Sequence, residues 1–129
     1  MTESDPVVEA NLKFYFALES LDLDLMEEVW ATDGSACCIH PSGYRLTGWE
    51  NIRSNWEQIF KNTPFMRVDV SNTVVEVHGA VAWVNCFENI TTSVGNQLQR
   101  ARACATNVFI FEDDRWLLVL HHASLLSSE

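Results

Sequence analysis

A histidine directly before a proline is the first residue of this sequence whose type and position suit chemistry. His40 ends a short apolar segment, and Pro41 biases the histidine backbone toward an extended conformation, which fixes the direction of the imidazole. A histidine at a strand end, beside the mouth of a pocket, can serve as a general base or a hydrogen-bond donor. His40 is therefore the candidate catalytic residue, and the alternative is a surface histidine that closes a turn.

Two further histidines, His121 and His122, are neighbours in the last apolar segment of the chain. Adjacent residues of a strand point to opposite faces of a sheet, so these two cannot hold one metal ion together. Both faces are mainly apolar, and we expect one histidine to line a pocket and the other to lie at a subunit interface. The pattern leaves open which is which, and His122 is taken as the candidate ligand contact. The alternative is a pair of hydrogen-bonded structural histidines.

Asn107 and Glu88 are polar residues within two other apolar segments. A buried amide in a strand needs hydrogen-bond partners, so Asn107 is predicted to fix a ligand or orient a histidine, the alternative being a structural tie. A carboxylate among apolar neighbours is costly unless it is paired or protonated, which is how a general acid or base arises. Glu88 is therefore a candidate ligand contact, and the alternative is an ion pair with Arg100 or Arg102.

Trp49 and Trp56 share one face of a predicted helix, and we expect them to form pocket walls because aromatic side chains commonly line apolar pockets. A metal site built from His40, His122 and Glu88 is a weaker option, and no metal or cofactor is predicted. The spacing of the four cysteines suits neither a disulfide framework nor a zinc site. They are Cys37, Cys38, Cys86 and Cys104, and the first two are adjacent. We expect all four to be reduced and to belong to the core.

The elements that must position these residues begin with helices. Apolar residues recur at helical spacing to about Ser20 and predict a first helix with Asp5 as its N-cap. These residues are Val8, Leu12, Tyr15, Phe16 and Leu18. A second helix is predicted over 22–31. A capping box formed by Thr47 and Glu50 predicts the start of a third helix, which ends near 61–62.

The rest of the chain is rich in β-branched and aromatic residues. A short strand is predicted over 35–39, and four longer ones over 67–77, 80–93, 99–111 and 116–125, separated by short turns. Helices followed by an antiparallel meander indicate an α+β fold. We expect three N-terminal helices packed in the concave face of a curved, mostly antiparallel sheet.

Length and composition are those of one globular domain spanning residues 1–129. Of these residues 47% are apolar and 20% charged, and the net charge is −10. Such an acidic surface repels nucleic acid and anionic membranes. No apolar run approaches the roughly 18 residues of a membrane span, and the acidic N-terminus does not resemble a signal peptide. We expect a cytoplasmic protein.

Several fragments in a fixed order resemble the SnoaL-like branch of the nuclear-transport-factor-2-like superfamily, which includes ketosteroid isomerases. They are Ile39-His40-Pro41, Leu46-Thr47-Gly48-Trp49-Glu50-Asn51-Ile52, Ala105-Thr106-Asn107-Val108-Phe109 and His121-His122-Ala123-Ser124. The resemblance implies a cone-shaped, cystatin-like fold with an internal pocket and a homodimer formed through the sheet.

The same resemblance bears on the reaction. The isomerases use an aspartate before a proline as base, and His40 with Pro41 stands at that place in this sequence. They also use a tyrosine of the first helix as an oxyanion donor, where the nearest equivalent is Phe14. Tyr15 follows, about 100° round the helix. Both differences argue against steroid-type isomerisation.

Two functions follow as expectations. The first is binding of a small, mostly apolar molecule of unknown identity in an internal pocket, with histidine-assisted proton transfer of an isomerase, cyclase or hydrolase type. The second is a non-catalytic dimerisation or protein-interaction module. Neither the ligand nor the presence of catalysis follows from the residues.

Overall fold

The computed structural model describes residues 2–128 of the chain. In chain order the elements are α1 (Asp5–Ser20), α2 (Leu23–Val29), β1 (Cys37–Ile39), β2 (Arg45–Thr47), α3 (Trp49–Lys61), β3 (Met66–His78), β4 (Val81–Val94), β5 (Gln97–Glu112) and β6 (Arg115–Ser128). The α+β class is confirmed. Within the described range, no helix combines the length and apolarity that crossing a bilayer demands.

The strands form one curved sheet in the order β2-β1-β6-β5-β4-β3. Every neighbouring pair is antiparallel except β1 and β6, which are parallel. The short strand β2 was not predicted, because its three residues carry too little apolar pattern. The four long strands lie consecutively in the sheet, as the predicted meander requires.

Helix α1 packs against the inner face of this sheet with only part of the predicted apolar pattern, of which Tyr15 and Leu18 are buried. Leu12 and Phe16 are exposed, whereas Asn11, Phe14 and Tyr15 are buried. The predicted pattern includes only apolar residues, whereas the buried side of this helix also includes Asn11. This difference brings Asn11 into the interior beside Tyr15.

The helix starts differ from the predicted caps. Ser4, not Asp5, is the N-cap of α1, and neither Gly48 at the N-cap of α3 nor Ser4 makes a side-chain capping bond. The predicted capping box of Thr47 and Glu50 is therefore not formed. Asp22 does cap α2, where its carboxylate accepts from two backbone N–H groups.

The segment after α2 is extended rather than helical, so that helix is shorter than predicted. It ends at Val29, since Trp30 and Ala31 align with β6 and Ala31 N donates to Leu118 O at 2.9 Å. The strand predicted over 35–39 is confined to β1.

A β-bulge in β6 decides which side chains reach the interior. Val108 is opposite Leu120 and Phe109 is opposite Leu118, so Val119 is an extra residue in β6. An extra residue reverses the alternation of a strand. As a result Leu118 and His121 both face the inner side, although three positions separate them.

Candidate functional site

Five buried polar side chains meet at the inner face of the sheet and form what we call the polar cluster. Its members are Asn11 and Tyr15 of α1, Glu88 of β4, Asn107 of β5 and His121 of β6. No member is more than 3% exposed. Side chains this well buried need partners among themselves, and the cluster supplies them.

Register explains why these strands deliver their polar residues to one place. Asn107 lies directly opposite His121 on one side and opposite Val84 on the other. Glu88 is four residues beyond Val84 on the same face of β4. The strands therefore place an amide, an imidazole and a carboxyl on one inner surface, and α1 covers them.

Asn107 is the hub of the hydrogen bonds. Its Nδ2 donates to Asn11 Oδ1 at 2.8 Å and to the Tyr15 hydroxyl at 3.1 Å. Its Oδ1 is 2.6 Å from His121 Nδ1 and can only accept. His121 Nδ1 therefore carries the proton and donates it to Asn107, and the other ring nitrogen, Nε2, has a free lone pair.

That free lone pair lies beside the carboxyl group. His121 Nε2 is 3.9 Å from Glu88 Oε2, and the Tyr15 hydroxyl donates to the same oxygen at 2.7 Å. Burial, with smaller contributions from His40 and His122, lowers the pKa of His121 to about 3. Burial also raises the pKa of Glu88, and the Tyr15 hydrogen bond partly offsets that shift. Both groups are thus shifted toward their uncharged forms, and they do not form an ordinary ion pair.

Tyr15 and Asn11 were missed as site residues by the sequence analysis. Burial, followed by the charge of Glu88, raises the pKa of Tyr15, so its hydroxyl stays protonated as a donor. Phe14 occupies the position expected for a tyrosine donor, yet it is the Tyr15 hydroxyl that reaches the cluster. Tyr15 belongs to the predicted apolar pattern of α1, whereas the burial of Asn11 cannot be read from apolar residues alone.

Of the predicted site residues, Glu88 and Asn107 are brought together in the polar cluster. Glu88 is buried and is not paired with Arg100 or Arg102, which are exposed on β5. His122 is not in the cluster: it is exposed on the opposite face, and His121 takes the inner place. The bulge at Val119 is the physical reason for this correction.

His40 lies near the cluster without contacting it directly. Its Nε2 is 2.6 Å from Asn55 Oδ1 and 3.8 Å from Cys38 Sγ. Burial lowers the pKa of His40, and the hydrogen bond with Asn55 acts in the opposite direction. The ring is half-buried, so His40 is placed between solvent and the interior.

The two predicted tryptophan walls differ. Trp56 packs edge-on against His40 at 5.2 Å between ring centroids and against Phe14 at 6.1 Å. Trp49 instead packs on Trp30 at 6.2 Å, and its Nε1 is 3.4 Å from a Glu27 carboxylate oxygen. Only Trp56 is thus a neighbour of the rings around the polar cluster.

Metal binding finds no support in the arrangement of ligating side chains. Across residues 2–128, no group of three or more His, Cys, Asp or Glu side chains is placed to hold a metal ion. The option of a site from His40, Glu88 and His122 fails because His122 is on the other face of the sheet.

A surface groove of about 460 Å³ lies apart from the cluster, between α1, α2 and the β5–β6 turn. Ala10, Phe16, Val29 and Trp116 contribute to its walls, and no member of the polar cluster does. The cluster itself is closed to solvent, since none of its members is more than 3% exposed.

These observations define an α+β protein in which helices cover a curved sheet and enclose hydrogen-bonded polar groups. The sequence profile of the SnoaL-like domain matches residues 7–128. The chain therefore belongs to the SnoaL-like domain family, which confirms the resemblance seen in the sequence.

Two solved structures and a curated protein are similar to this chain. A candidate dehydratase of the NTF2-like family from Streptomyces avermitilis is 28% identical, covers 95% of both chains and has a TM-score of 0.90. A candidate calcium/calmodulin-dependent protein kinase type II association domain from Thiobacillus denitrificans is 34% identical, covers 92% of this chain and 93% of that one, and has a TM-score of 0.75. F-box protein SKIP8 of Arabidopsis thaliana is 25% identical over 93% of this chain, which spans 49% of that protein's length.

Proposed function

We propose that this protein is an enzyme that moves protons within the polar cluster, on a small, mainly apolar substrate carrying a carbonyl and a hydroxyl group. The observation that carries the proposal is the buried imidazole and carboxyl of His121 and Glu88, 3.9 Å apart. Burying such a pair gives little stability, since well-packed apolar residues of similar volume are often as favourable. Groups whose pKa values are pushed apart by their surroundings are typical of acid–base sites.

His121 is the general base in this scheme. Its Nε2 has a lone pair because Nδ1–H is donated to Asn107, and its pKa of about 3 keeps the ring neutral near pH 7. In a dehydration, Nε2 takes the proton from the carbon next to the carbonyl group. The electron pair of that C–H bond forms a C=C bond, and the hydroxyl group on the next carbon leaves.

Glu88 is the general acid, because its raised pKa favours the protonated carboxyl. It gives its proton to the leaving hydroxyl, which departs as water, and the Tyr15 hydroxyl stabilises the carboxylate that forms. The proton on His121 Nε2 then returns to Glu88 across the 3.9 Å gap through the released water. One substrate thus gives one unsaturated carbonyl product and one water, and both side chains are restored.

Two further points support this scheme. The candidate dehydratase from Streptomyces avermitilis shares 28% of its residues with this chain over 95% of both. His40 is half-buried and lowers the pKa of His121. We therefore place the entrance for substrate and solvent beside His40.

The test is turnover of a neutral β-hydroxy ketone such as 4-hydroxy-4-phenylbutan-2-one, followed by the ultraviolet absorbance of the conjugated product. We expect His121→Asn to lower the rate at least about a hundredfold, the usual contribution of a positioned base. His122→Asn is the matched control, since it changes the exposed neighbour on the other face. Equal rates for the two variants, or no turnover of β-hydroxy ketones by the wild type, would contradict the proposal.

A second candidate function is an association module that forms homodimers through the sheet. Val74, Trp83, Asn85, Thr106 and Val108 form a shallow, mainly apolar hollow on the side of the sheet away from the helices, which we call the outer sheet face. The solved structure with 34% identity is a candidate association domain, which favours this option. The two functions are compatible, because the outer sheet face and the polar cluster are on opposite sides of the sheet.

A reducing compartment, the cytoplasm, is the location that we propose. The four cysteines are all free, and Cys38 and Cys86 are buried. Burial, followed by Cys37 and Glu88, raises the pKa of Cys38 to about 12, so its thiol is unreactive. Oxidation of the purified protein with diamide should leave Cys38 unmodified by mass spectrometry, and modification in the folded state would contradict the structural role of this thiol.

A further inference from the structure

The indole N–H of Trp56 is a hydrogen-bond donor without a protein partner. Trp56 is 3% exposed, and no acceptor among the described residues lies within hydrogen-bond distance of its Nε1. Buried donors in native proteins nearly always have a partner, and an unpaired one is costly. Two other tryptophans of this chain are satisfied: Trp30 Nε1 donates to Met26 Sδ at 3.3 Å, and Trp49 Nε1 donates to Glu27.

The position of Trp56 makes the unpaired donor informative. Its ring lies 5.2 Å from the ring of His40, 6.1 Å from that of Phe14 and 5.8 Å from that of Phe60. Phe14 in turn contacts His121, at 4.9 Å between centroids. One aromatic ring, that of Phe14, therefore lies between the indole of Trp56 and the polar cluster.

The charges around this position select a neutral ligand. Every Lys and Arg side chain is at least partly exposed, so no cation is buried beside Trp56. The lowered pKa values of His40 and His121 keep their rings uncharged at neutral pH. An anionic ligand would meet no counter-charge there and would be repelled by Glu88 when that group is ionised.

We propose that Trp56 Nε1–H donates a hydrogen bond to the carbonyl oxygen of a neutral, mainly apolar ligand bound between α3 and the polar cluster. That this ligand is the substrate rests on the proposed function, but the binding of the ligand at Trp56 does not. Trp56 is then a donor that fixes the ligand's orientation as well as an apolar wall. The hydroxyl end of the same molecule lies toward Glu88 and His121.

The test follows the five indole N–H signals of ¹⁵N-labelled protein by NMR, with Trp56→Phe used to assign the Trp56 signal. The probes are acetophenone, which has a carbonyl oxygen, ethylbenzene, which has none, and benzoate, which is an anion. We expect acetophenone to move the Trp56 indole proton downfield in a saturable manner, ethylbenzene to move it much less and without the downfield shift of a hydrogen bond, and benzoate to leave it unmoved. The signals of Trp30 and Trp49 are internal controls, because their N–H groups already have partners.

Affinity supplies a second measurement. Trp56→Phe should weaken acetophenone binding roughly five- to tenfold, the loss of one hydrogen bond, and change ethylbenzene binding less than about twofold. Three results would overturn the inference. The Trp56 signal stays unmoved by acetophenone, it moves equally with ethylbenzene, or it retains a bound-water cross-peak at saturating acetophenone. The wild-type titration decides these outcomes even if Trp56→Phe does not fold.

Failure of this inference is distinguishable from failure of the proposed function. If acetophenone moves the Trp56 signal but His121→Asn keeps full turnover, the ligand site stands and the proton-transfer scheme fails. If turnover depends on His121 while the Trp56 signal never moves, the scheme stands and the role of Trp56 as a donor is excluded.

Discussion

At the residue scale, the polar cluster is held together by the side-chain amide of Asn107, both of whose N–H groups are used. Asn107 donates twice and accepts once, and this leaves His121 with one possible arrangement of its proton. The consequence is a free Nε2 lone pair facing Glu88. A network in which every group has a defined role is rigid, and rigidity is what an acid–base site requires.

Tyr15→Phe tests this network with the smallest possible change. The hydroxyl donates to Glu88 at 2.7 Å and accepts from Asn107, so its removal leaves two buried groups short of a partner. We expect a loss of about 1–3 kcal/mol in the free energy of unfolding, measured by urea denaturation. Tyr44→Phe is the control, since Tyr44 is 61% exposed. A loss no larger than the control's would show that the hydroxyl does not hold the cluster together.

His121 gives the protein a defined response to acid. Its pKa is about 3 in the folded protein and 6.5 when unperturbed, so between these values the unfolded chain binds a proton that the folded one does not. Stability from this source is present above pH 6.5 and is lost as the pH falls toward 3. Glu88 acts in the opposite direction, because its raised pKa makes the folded state lose stability as the pH rises above 4.5.

His121→Asn should therefore flatten the acid side of the stability curve. The slope of unfolding free energy against pH between 3 and 6.5 should fall by up to one proton relative to the wild type, measured by urea denaturation at a series of pH values. His122→Asn should keep the wild-type slope because it leaves the buried ring in place. An unchanged slope in His121→Asn would show that His121 is not buried as an uncharged ring.

At the element scale, the sequence predicts the order of helices and long strands well, because hydrophobic periodicity and turn residues are local signals. Local signals do not predict which residues of β6 face the interior. One extra residue, Val119, reverses the alternation and exchanges His121 for His122, and no local pattern marks a bulge. Asn11 was missed for a related reason: the helix face that is buried depends on what the sheet offers opposite it.

The β5–β6 turn offers a test of local backbone strain. Asp113 and Asp114 connect Glu112 to Arg115 and both have positive φ angles, 53° and 65°. This is the two-residue hairpin turn in which glycine is favoured at the second position. Asp114→Gly should raise the unfolding free energy by up to about 1 kcal/mol in thermal or urea denaturation, because relief of the left-handed backbone, about 1–2 kcal/mol, exceeds the entropic cost of glycine, about 0.5–1 kcal/mol. Asp114→Ala, which adopts this conformation less readily than aspartate, should lower it, and the same sign for both would contradict the assignment of the turn.

At the scale of the whole molecule, the two sides of the sheet differ in what covers them. The inner side is covered by helices and holds the polar cluster, whereas the outer sheet face leaves apolar side chains in contact with solvent. Trp83 is 36% exposed and Val74 51% exposed there. A net charge of −10 opposes close approach of two copies, so the proposed homodimer would have to bury this apolar surface.

Trp83→Glu should therefore abolish a homodimer formed through the outer sheet face. The substitution adds a carboxylate to the lining of the apolar hollow, where the second copy would bring an identical charge. We expect the wild type to sediment as a dimer and the variant as a monomer in analytical ultracentrifugation, with turnover per chain still dependent on His121. Leu12→Glu is the matched control, because Leu12 is 55% exposed on α1, which packs on the inner side of the sheet. Dissociation by Leu12→Glu and not by Trp83→Glu would place the interface on the helices and exclude the outer sheet face.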